Sequence, residues 1–543
     1  MIQFPASGKL IRKFIYCTIA AIFGWATWRR FSLPLDPIAD LDTWGYLSPA
    51  LLKLTGGEFV HALGRNFVYP GFLLLLLRVF GDFRALGIVQ HLLGLAGGGL
   101  ILMTWQRVRT FITPSPVADP AHTVLGLILV AVFLLAGEPM RAEMQIRPEG
   151  ICAFVLSLNL YFVIGFIARA FVLKDKPPVA LGAAIGGTAM LLASLKPSLV
   201  FLAAVALFPV GVFFFQRNHL RQKCVLGLAL LISAIIFFVP EYLLSGEDEF
   251  GQVFLPTTLF TIHADLIRDQ MAEDVRSGAA LPYKRDLLDR IQKQLALEIE
   301  KSAAAEGSRF PSLGFSPDYL MYAADSIADR VALEFNYDNA AITSFYRFCY
   351  WRAWQERPLG MLRKIGHQIA LFYAPVSPVY DRRKEIPLAI VYKTGAASFD
   401  YPSMHEVFNA YPPGLELIRR NALLGENAAP IEQSRLVRSG VAFLARAYLP
   451  LLALTLVMSA TCLRTDVRKA IGWLTALTLL VFAYNFAACL EVAILQVFDG
   501  PRYSTVQFCF TLLAEFLALR LVLEGLLQLI RWGRPIQTSA PGE

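Results

Sequence analysis

Phe14-Ile15-Tyr16-Cys17-Thr18-Ile19-Ala20-Ala21-Ile22-Phe23-Gly24-Trp25-Ala26-Thr27-Trp28 is a largely apolar run with Lys9, Arg12 and Lys13 before it and Arg29-Arg30 after it. The leading cations imitate a secretion signal, but Trp28-Arg29-Arg30 stands where small residues would permit cleavage. The run is therefore expected to stay as a first transmembrane helix. Much of the rest of the chain has the same character, the exception being the region 245–436, whose composition differs. Of 543 residues, 56% are hydrophobic and 17% charged, with a mean hydropathy of +0.52, more apolar surface than a soluble fold can hide.

A spanning helix needs about 17 to 25 mostly apolar residues. Such runs lie at 14–31, 84–105, 122–139, 149–171, 178–195, 198–215, 224–244, 437–462, 470–495 and 505–530. The expectation is an all-α polytopic membrane protein with about ten transmembrane helices. The basic clusters Lys9/Arg12/Lys13, Arg107/Arg109, Arg169/Lys174/Lys176, Arg217/Arg221/Lys223, Arg464/Arg468/Lys469 and Arg531/Arg534 then share one side. The positive-inside rule makes that side, with both termini, cytoplasmic. The net charge of +8 thus reflects topology, and no nucleic-acid partner is expected. Segment 67–80 is apolar but only about 14 residues long, the length of an interfacial or re-entrant helix. Counting it as a span would put Arg107/Arg109 outside, so it is kept on the outer side.

Three parts follow: a transmembrane module at 1–244 with its first outer loop at 32–83, an extracytoplasmic region with interfacial helices at 245–436, and transmembrane helices at 437–543. In the middle part, 283–307 reads as a charged amphipathic helix, and Pro311, Pro317, Pro402 and Pro412-Pro413 mark turns. Segment 360–380, with Arg363, Lys364 and His367, reads as interfacial. Six of the seven cysteines fall in or beside apolar runs and Cys349 stands alone in the polar region, so no disulfide framework is readable.

The first outer loop reads Leu33-Pro34-Leu35-Asp36-Pro37-Ile38-Ala39-Asp40-Leu41-Asp42-Thr43-Trp44-Gly45-Tyr46, continued through 47–54 as a short amphipathic helix. On a helix Asp42 and Tyr46 share a face, and a carboxylate at the lipid boundary suits a general base toward an acceptor hydroxyl. Spacing alone leaves a second reading open, in which Asp42 caps the helix. Arg141, Glu143, Arg147 and Glu149 surround Pro148 at the outer start of the fourth span, either as functional groups entering the membrane or as a solvated turn. Lys196-Pro197, and Arg502-Tyr503 after Asp499-Gly500-Pro501, offer cations for a departing lipid phosphate. Lys196 can equally snorkel to headgroups. His61, Arg65 and Tyr69 follow the first loop closely enough to line its cavity, and His263 is either a further site candidate or a structural histidine. The chain has no Walker lysine loop, no Rossmann glycine fingerprint and no zinc-type His/Cys spacing.

One helix, the Asp42-Thr43-Trp44-Gly45-Tyr46 loop, an interfacial helix, Gly56-Gly57, Tyr69-Pro70, an apolar run and Phe80-Gly81-Asp82 follow in that order. This arrangement resembles the GT-C glycosyltransferases, most closely the protein mannosyltransferase and aminoarabinose transferase-like group (glycosyltransferase family 39-like). The resemblance implies a GT-C-type bundle, a polyprenyl-phosphate sugar as donor and an acidic catalytic base in this loop. Asp42 matches through Tyr46. Thr43 stands where the group commonly has the second acid of an Asp-Glu pair, while Asp40 supplies a carboxylate two residues earlier, so either is a candidate base. The resemblance also implies a neighbouring acid, Glu149 or Glu143, that positions the acceptor or tunes the base, and phosphate-binding cations at Arg502, Lys196 or Arg147. Arg65 is a further phosphate candidate, since Tyr69 replaces the group's basic residue before the proline. Tyr46, His61, Tyr69, His263 and Tyr503 complete the candidate site.

The implied reaction is an inverting transfer from a lipid-linked sugar donor to an extracytoplasmic glycan, lipid or protein. It needs no cofactor and no divalent metal, although Asp40-Leu41-Asp42 resembles the Asp-x-Asp of nucleotide-sugar enzymes. A bacterial inner membrane is the expected location, with membrane lipids as partners. Two other classes stay open. A transporter or flippase of a lipid-linked glycan predicts polar groups deep in the spans, where Glu491 stands out, and a non-catalytic GT-C-like scaffold subunit would share most of these features.

Overall fold

The computed structural model describes residues 9–61, 63–112, 118–174, 178–246, 248–399, 402–499 and 502–532. Lys176 and Arg534, two members of the basic clusters, and Gly500 and Pro501 lie outside the described residues. In lipid an unpaired backbone amide or carbonyl is costly, so apolar runs become helices that satisfy their own backbone. The N-terminal part comprises α1 (Lys9–Phe31), α2 (Thr43–Leu54), α3 (Val68–Phe80), α4 (Arg84–Val108), α5 (Ala118–Leu135), α6 (Gly137–Glu143), α7 (Glu149–Ile167), α8 (Val179–Leu195), α9 (Val200–Phe214) and α10 (Leu220–Ser245). The C-terminal part comprises four helices described below.

The middle region is two lobes rather than one. The first is built from α11 (Glu249–Ile262), α12 (Ala264–Ser277), α13 (Arg285–Glu306), α14 (Pro317–Tyr322), α15 (Ile327–Glu334), α16 (Asn339–Glu356) and α17 (Pro358–Phe372). It has a core of its own that includes Phe260, Leu295, Phe345 and Met361. The second lobe holds α18 (Leu388–Ala397), α19 (Pro402–Asn409), α20 (Pro412–Asn427) and an antiparallel pair of two-residue strands, β1 (Glu385–Ile386) and β2 (Ile431–Glu432). Its Ile386, Leu388, Tyr392 and Ile431 share a core with Ile38, Met140 and Met144, so this lobe packs onto the first loop of the N-terminal part. Pro317, Pro402 and Pro412, read as turns, instead open helices, where a missing N–H costs nothing.

The chain then returns to the bundle through α21 (Arg435–Thr461), α22 (Thr465–Leu495), the short α23 (Arg502–Thr505) and α24 (Phe508–Trp532). Among the described residues seven helices are long and apolar enough to cross a membrane, or eight if α5 and α6, bent by 47°, form one span. The chain is an all-α, multi-pass membrane protein. Helices stand at all ten expected windows, but α8 is only 17 residues long and α24 carries Glu515, Arg520 and Glu524, so neither is among the seven. Helix α3, at 13 residues, is about 20 Å long at the usual rise, short of a hydrocarbon core about 30 Å thick. It stops at Gly81, whose φ of +64° is left-handed.

Charge inside the bundle is more extensive than the sequence reading allowed. Glu491, the group singled out there, accepts the Phe201 N–H at 2.8 Å and so satisfies an orphan donor at the start of α9. Helix α24 buries three further ionisable side chains: Glu515 accepts the Tyr380 hydroxyl, and Arg520 pairs with Glu524 at 2.5 Å.

Candidate active site

The first loop cannot be helical over Pro34 to Pro37, and it is instead held extended from two sides. Ile38 donates its N–H to the Met144 carbonyl at 2.7 Å and accepts from the Ile146 N–H at 3.0 Å, a parallel bridge to the turn before α7. From the second lobe, Tyr392 donates to the Asp36 carbonyl (2.6 Å), Asn421 to the Pro37 carbonyl (3.2 Å) and Ser398 to the Asp40 carbonyl (3.2 Å). Gly395 lies so close that a Cβ there would sit 2.3 Å from the Ala39 oxygen. Such bracing fixes the carboxylates that follow.

Asp40 and Asp42 have different jobs in this frame. The Asp40 carboxylate accepts the Asp42 N–H at 2.9 Å and the Thr43 hydroxyl at 3.3 Å, while Thr43 accepts the Asp40 N–H at 2.9 Å. Asp40 thus makes the turn into α2, the capping role read as an option for Asp42. Asp42 makes no side-chain cap bond. Its carboxylate faces three guanidiniums: Arg65 at 2.8 Å, Arg147 at 2.9 Å, and Arg502 in a still closer contact. Arg147 also pairs with Asp40, so the two aspartates share it.

Each cation arrives from a different element. Arg147 precedes Pro148 at the start of α7, and Arg65 follows a turn beyond α2. Lys196 is the residue before Pro197, extended as that position demands and ending α8. Its ammonium reaches Glu149, the first residue of α7, at 2.5 Å. Arg502 opens α23, donates to the Tyr503 hydroxyl at 2.6 Å and lies 4.7 Å from that ring's centre, while Lys196 lies 5.5 Å from it. Four cations are therefore in ion pairs with three carboxylates, Asp40, Asp42 and Glu149. Tyr46 packs edge-on against Tyr69 (5.4 Å) beneath Arg65 (5.1 Å), and Tyr69 donates to Gln90 at 3.2 Å.

The electrostatics separate the two aspartates further. Burial pushes the Asp42 carboxyl up, but Arg65, Arg502 and Arg147 together overcome it and hold the group well below the usual carboxylate range. At Asp40 burial outweighs the attraction of Arg147 and the Asp42 N–H, and the carboxyl is raised. Asp42 is thus an anion held by cations that a phosphate would also attract.

Three predicted residues fall elsewhere. Glu143 is enclosed between Arg30 (2.8 Å) and His91 (2.8 Å), where it ties α1, α4 and α6 together. His61 bridges Asp248 (2.6 Å) and Glu241 (2.8 Å), which staples the loop after α2 to the end of α10 and the start of α11. His263 packs 5.5 Å from Tyr350 in the first lobe's core; burial, then Lys364, pulls it down to about 3, so it stays neutral. Two further residues come to the site without a sequence signal. Asp318 and Tyr322 of α14 interact electrostatically with Asp42 and Arg502, and Tyr322 also with Arg65. They stand near the start and at the end of a short helix far along the chain from Asp42, so only the fold of the first lobe brings them there. No protein-family model, curated protein or solved structure matches this chain.

Proposed function

We propose that the chain is a GT-C-type membrane glycosyltransferase that moves a sugar from a polyprenyl-phosphate donor to an extracytoplasmic acceptor with inversion. The observation that carries this reading is the direct contact between Asp42 and Arg502, with Lys196 over the same Tyr503 ring as Arg502. A base and phosphate-binding cations thereby meet at one end of an apolar bundle. Asp42 takes the proton of the acceptor hydroxyl as its oxygen bonds to the anomeric carbon, and the bond from that carbon to the phosphate oxygen breaks. The polyprenyl phosphate leaves as an anion on Arg502 and Lys196. Asp40 holds the turn that aims Asp42, and Tyr322 and Asp318 face the acceptor. A bacterial inner membrane with cytoplasmic termini fits the clustering of the basic loops.

The test is transfer of radiolabelled sugar from a panel of synthetic polyprenyl-phosphate donors in proteoliposomes, with membrane extract as acceptor. Turnover by wild type and its loss in Asp42→Asn are expected; full activity in that variant would sink the mechanism. One observation favours a second reading, a transporter of a lipid-linked glycan: the buried Glu515 and the Arg520–Glu524 pair within α24. Donor-independent flipping of labelled glycolipid that fails in Arg520→Gln would move the assignment there.

A further inference from the structure

Resting on the glycosyltransferase reading, we propose that Asp42 and Glu149 compete with the donor's phosphate for Arg502 and Lys196, so that donor binding precedes acceptor binding and frees the base. Each of the two cations that lie over the Tyr503 ring is in contact with a carboxylate of the protein: Arg502 with Asp42, and Lys196 with Glu149 at 2.5 Å. A phosphate entering between them must exchange with those carboxylates. Guanidinium and ammonium groups pair strongly with phosphate oxygens, and a guanidinium does so with two parallel N–H donors, so the exchange replaces like with like.

The three guanidiniums on Asp42 are not equally free to leave. The Arg147 side chain is 13% exposed and tied to Asp40 as well, and that of Arg65 is 21% exposed and lies over Tyr46, whereas that of Arg502 is 39% exposed. Arg502 is the partner that moves. A carboxylate under three guanidiniums is a poor proton acceptor, because each cation stabilises the anion it would have to give up. When phosphate takes Arg502, Asp42 loses one of these cations and its basicity rises. The same step removes one of the two guanidinium contacts on Oδ2, the one Arg502 makes, and gives the acceptor hydroxyl that place beside the Arg147 contact. Arg65 and Arg147 stay and keep the carboxylate aimed. An acceptor arriving first meets a capped, weakly basic Asp42.

The test uses polyprenyl monophosphate, which carries the lipid and the phosphate but no sugar, and measures its Kd for the full-length protein in nanodiscs. Wild type, Asp42→Asn, Arg502→Ala and the double variant form one cycle; wild type, Glu149→Gln, Lys196→Ala and their double variant form a second that does not depend on Asp42→Asn folding. Removing the competing carboxylate is expected to tighten binding about tenfold, as for loss of one charge-assisted contact. The gain should shrink to about twofold or less when the partner cation is also gone. Unchanged or weaker binding in both Asp42→Asn and Glu149→Gln overturns the proposal. So does an equal gain with and without the partner cation, which would mean plain repulsion of the phosphate. Binding without any gain removes only this exchange, whereas no binding by wild type or any variant removes the glycosyltransferase reading together with it.

Discussion

Two carboxylates in this molecule, Asp42 and Glu143, each stand against arginine near the same end of the bundle, yet they sit in different surroundings. At Glu143 everything is closed: Arg30 and His91 side chains are 0% exposed and Glu143 4%, and Arg30 also donates to the Leu134 carbonyl at 2.7 Å. At Asp42 the carboxylate and its most exposed partner remain in reach of solvent. A closed pair has nothing to exchange with and serves as a joint between helices. An open, cation-rich group can trade partners with a ligand. The type of side chain does not distinguish a joint from a site, but access does.

The sharpest way to break the comparison is to neutralise each carboxylate. Asp42→Asn is expected to lower sugar transfer by about 10²–10⁴-fold with little change in thermal unfolding, whereas Asp40→Asn, which keeps an oxygen for the Asp42 N–H, loses about tenfold or less. Reversal of that order in the transfer assay would make Asp40 the base. Glu143→Gln should do the opposite, costing about 3–5 kcal/mol of stability by leaving Arg30 buried and unpaired. A thermal midpoint equal to that of wild type would show that the pair is no joint.

A milder perturbation asks whether the frame matters. Gly395→Ala puts a Cβ against the Ala39 carbonyl and is expected to cost about 1–3 kcal/mol as the loop shifts. Transfer should fall while polyprenyl phosphate still binds, which a donor-binding assay beside the transfer assay will read. The smallest effect concerns pH. Burial pulls the His61 imidazolium down, but hydrogen bonds to Glu241 and Asp248 outweigh it, so its folded value lies above the ordinary 6.5. Stability from this staple is full below 6.5 and is lost as pH rises through the folded value. In His61→Gln that fall in the thermal midpoint should vanish, and a profile parallel to wild type would refute the staple.

Much of the membrane layer was legible because lipid imposes a simple rule: apolar residues in runs of spanning length become helices. The loop from Leu33 to Tyr46 could likewise be singled out, since acidic residues beside a span are costly unless used. The division of work between Asp40 and Asp42 was not legible, because both suit a cap and only the turn geometry shows which one makes it. Glu143 and Glu149, six residues apart, look alike in the sequence, but one faces into α1 and α4 and the other toward Lys196.

By itself, then, the sequence determined that this is a helical membrane protein, and it pointed to the loop and cations worth watching, because periodicity and hydropathy are local properties of the chain. Tertiary structure decided that Arg65, Arg147 and Arg502 converge on Asp42, that His61 and His263 are structural, and that the middle region is two lobes. Those outcomes depend on which distant side chains meet, and pairing over hundreds of residues is set by packing of the whole bundle rather than by any local pattern.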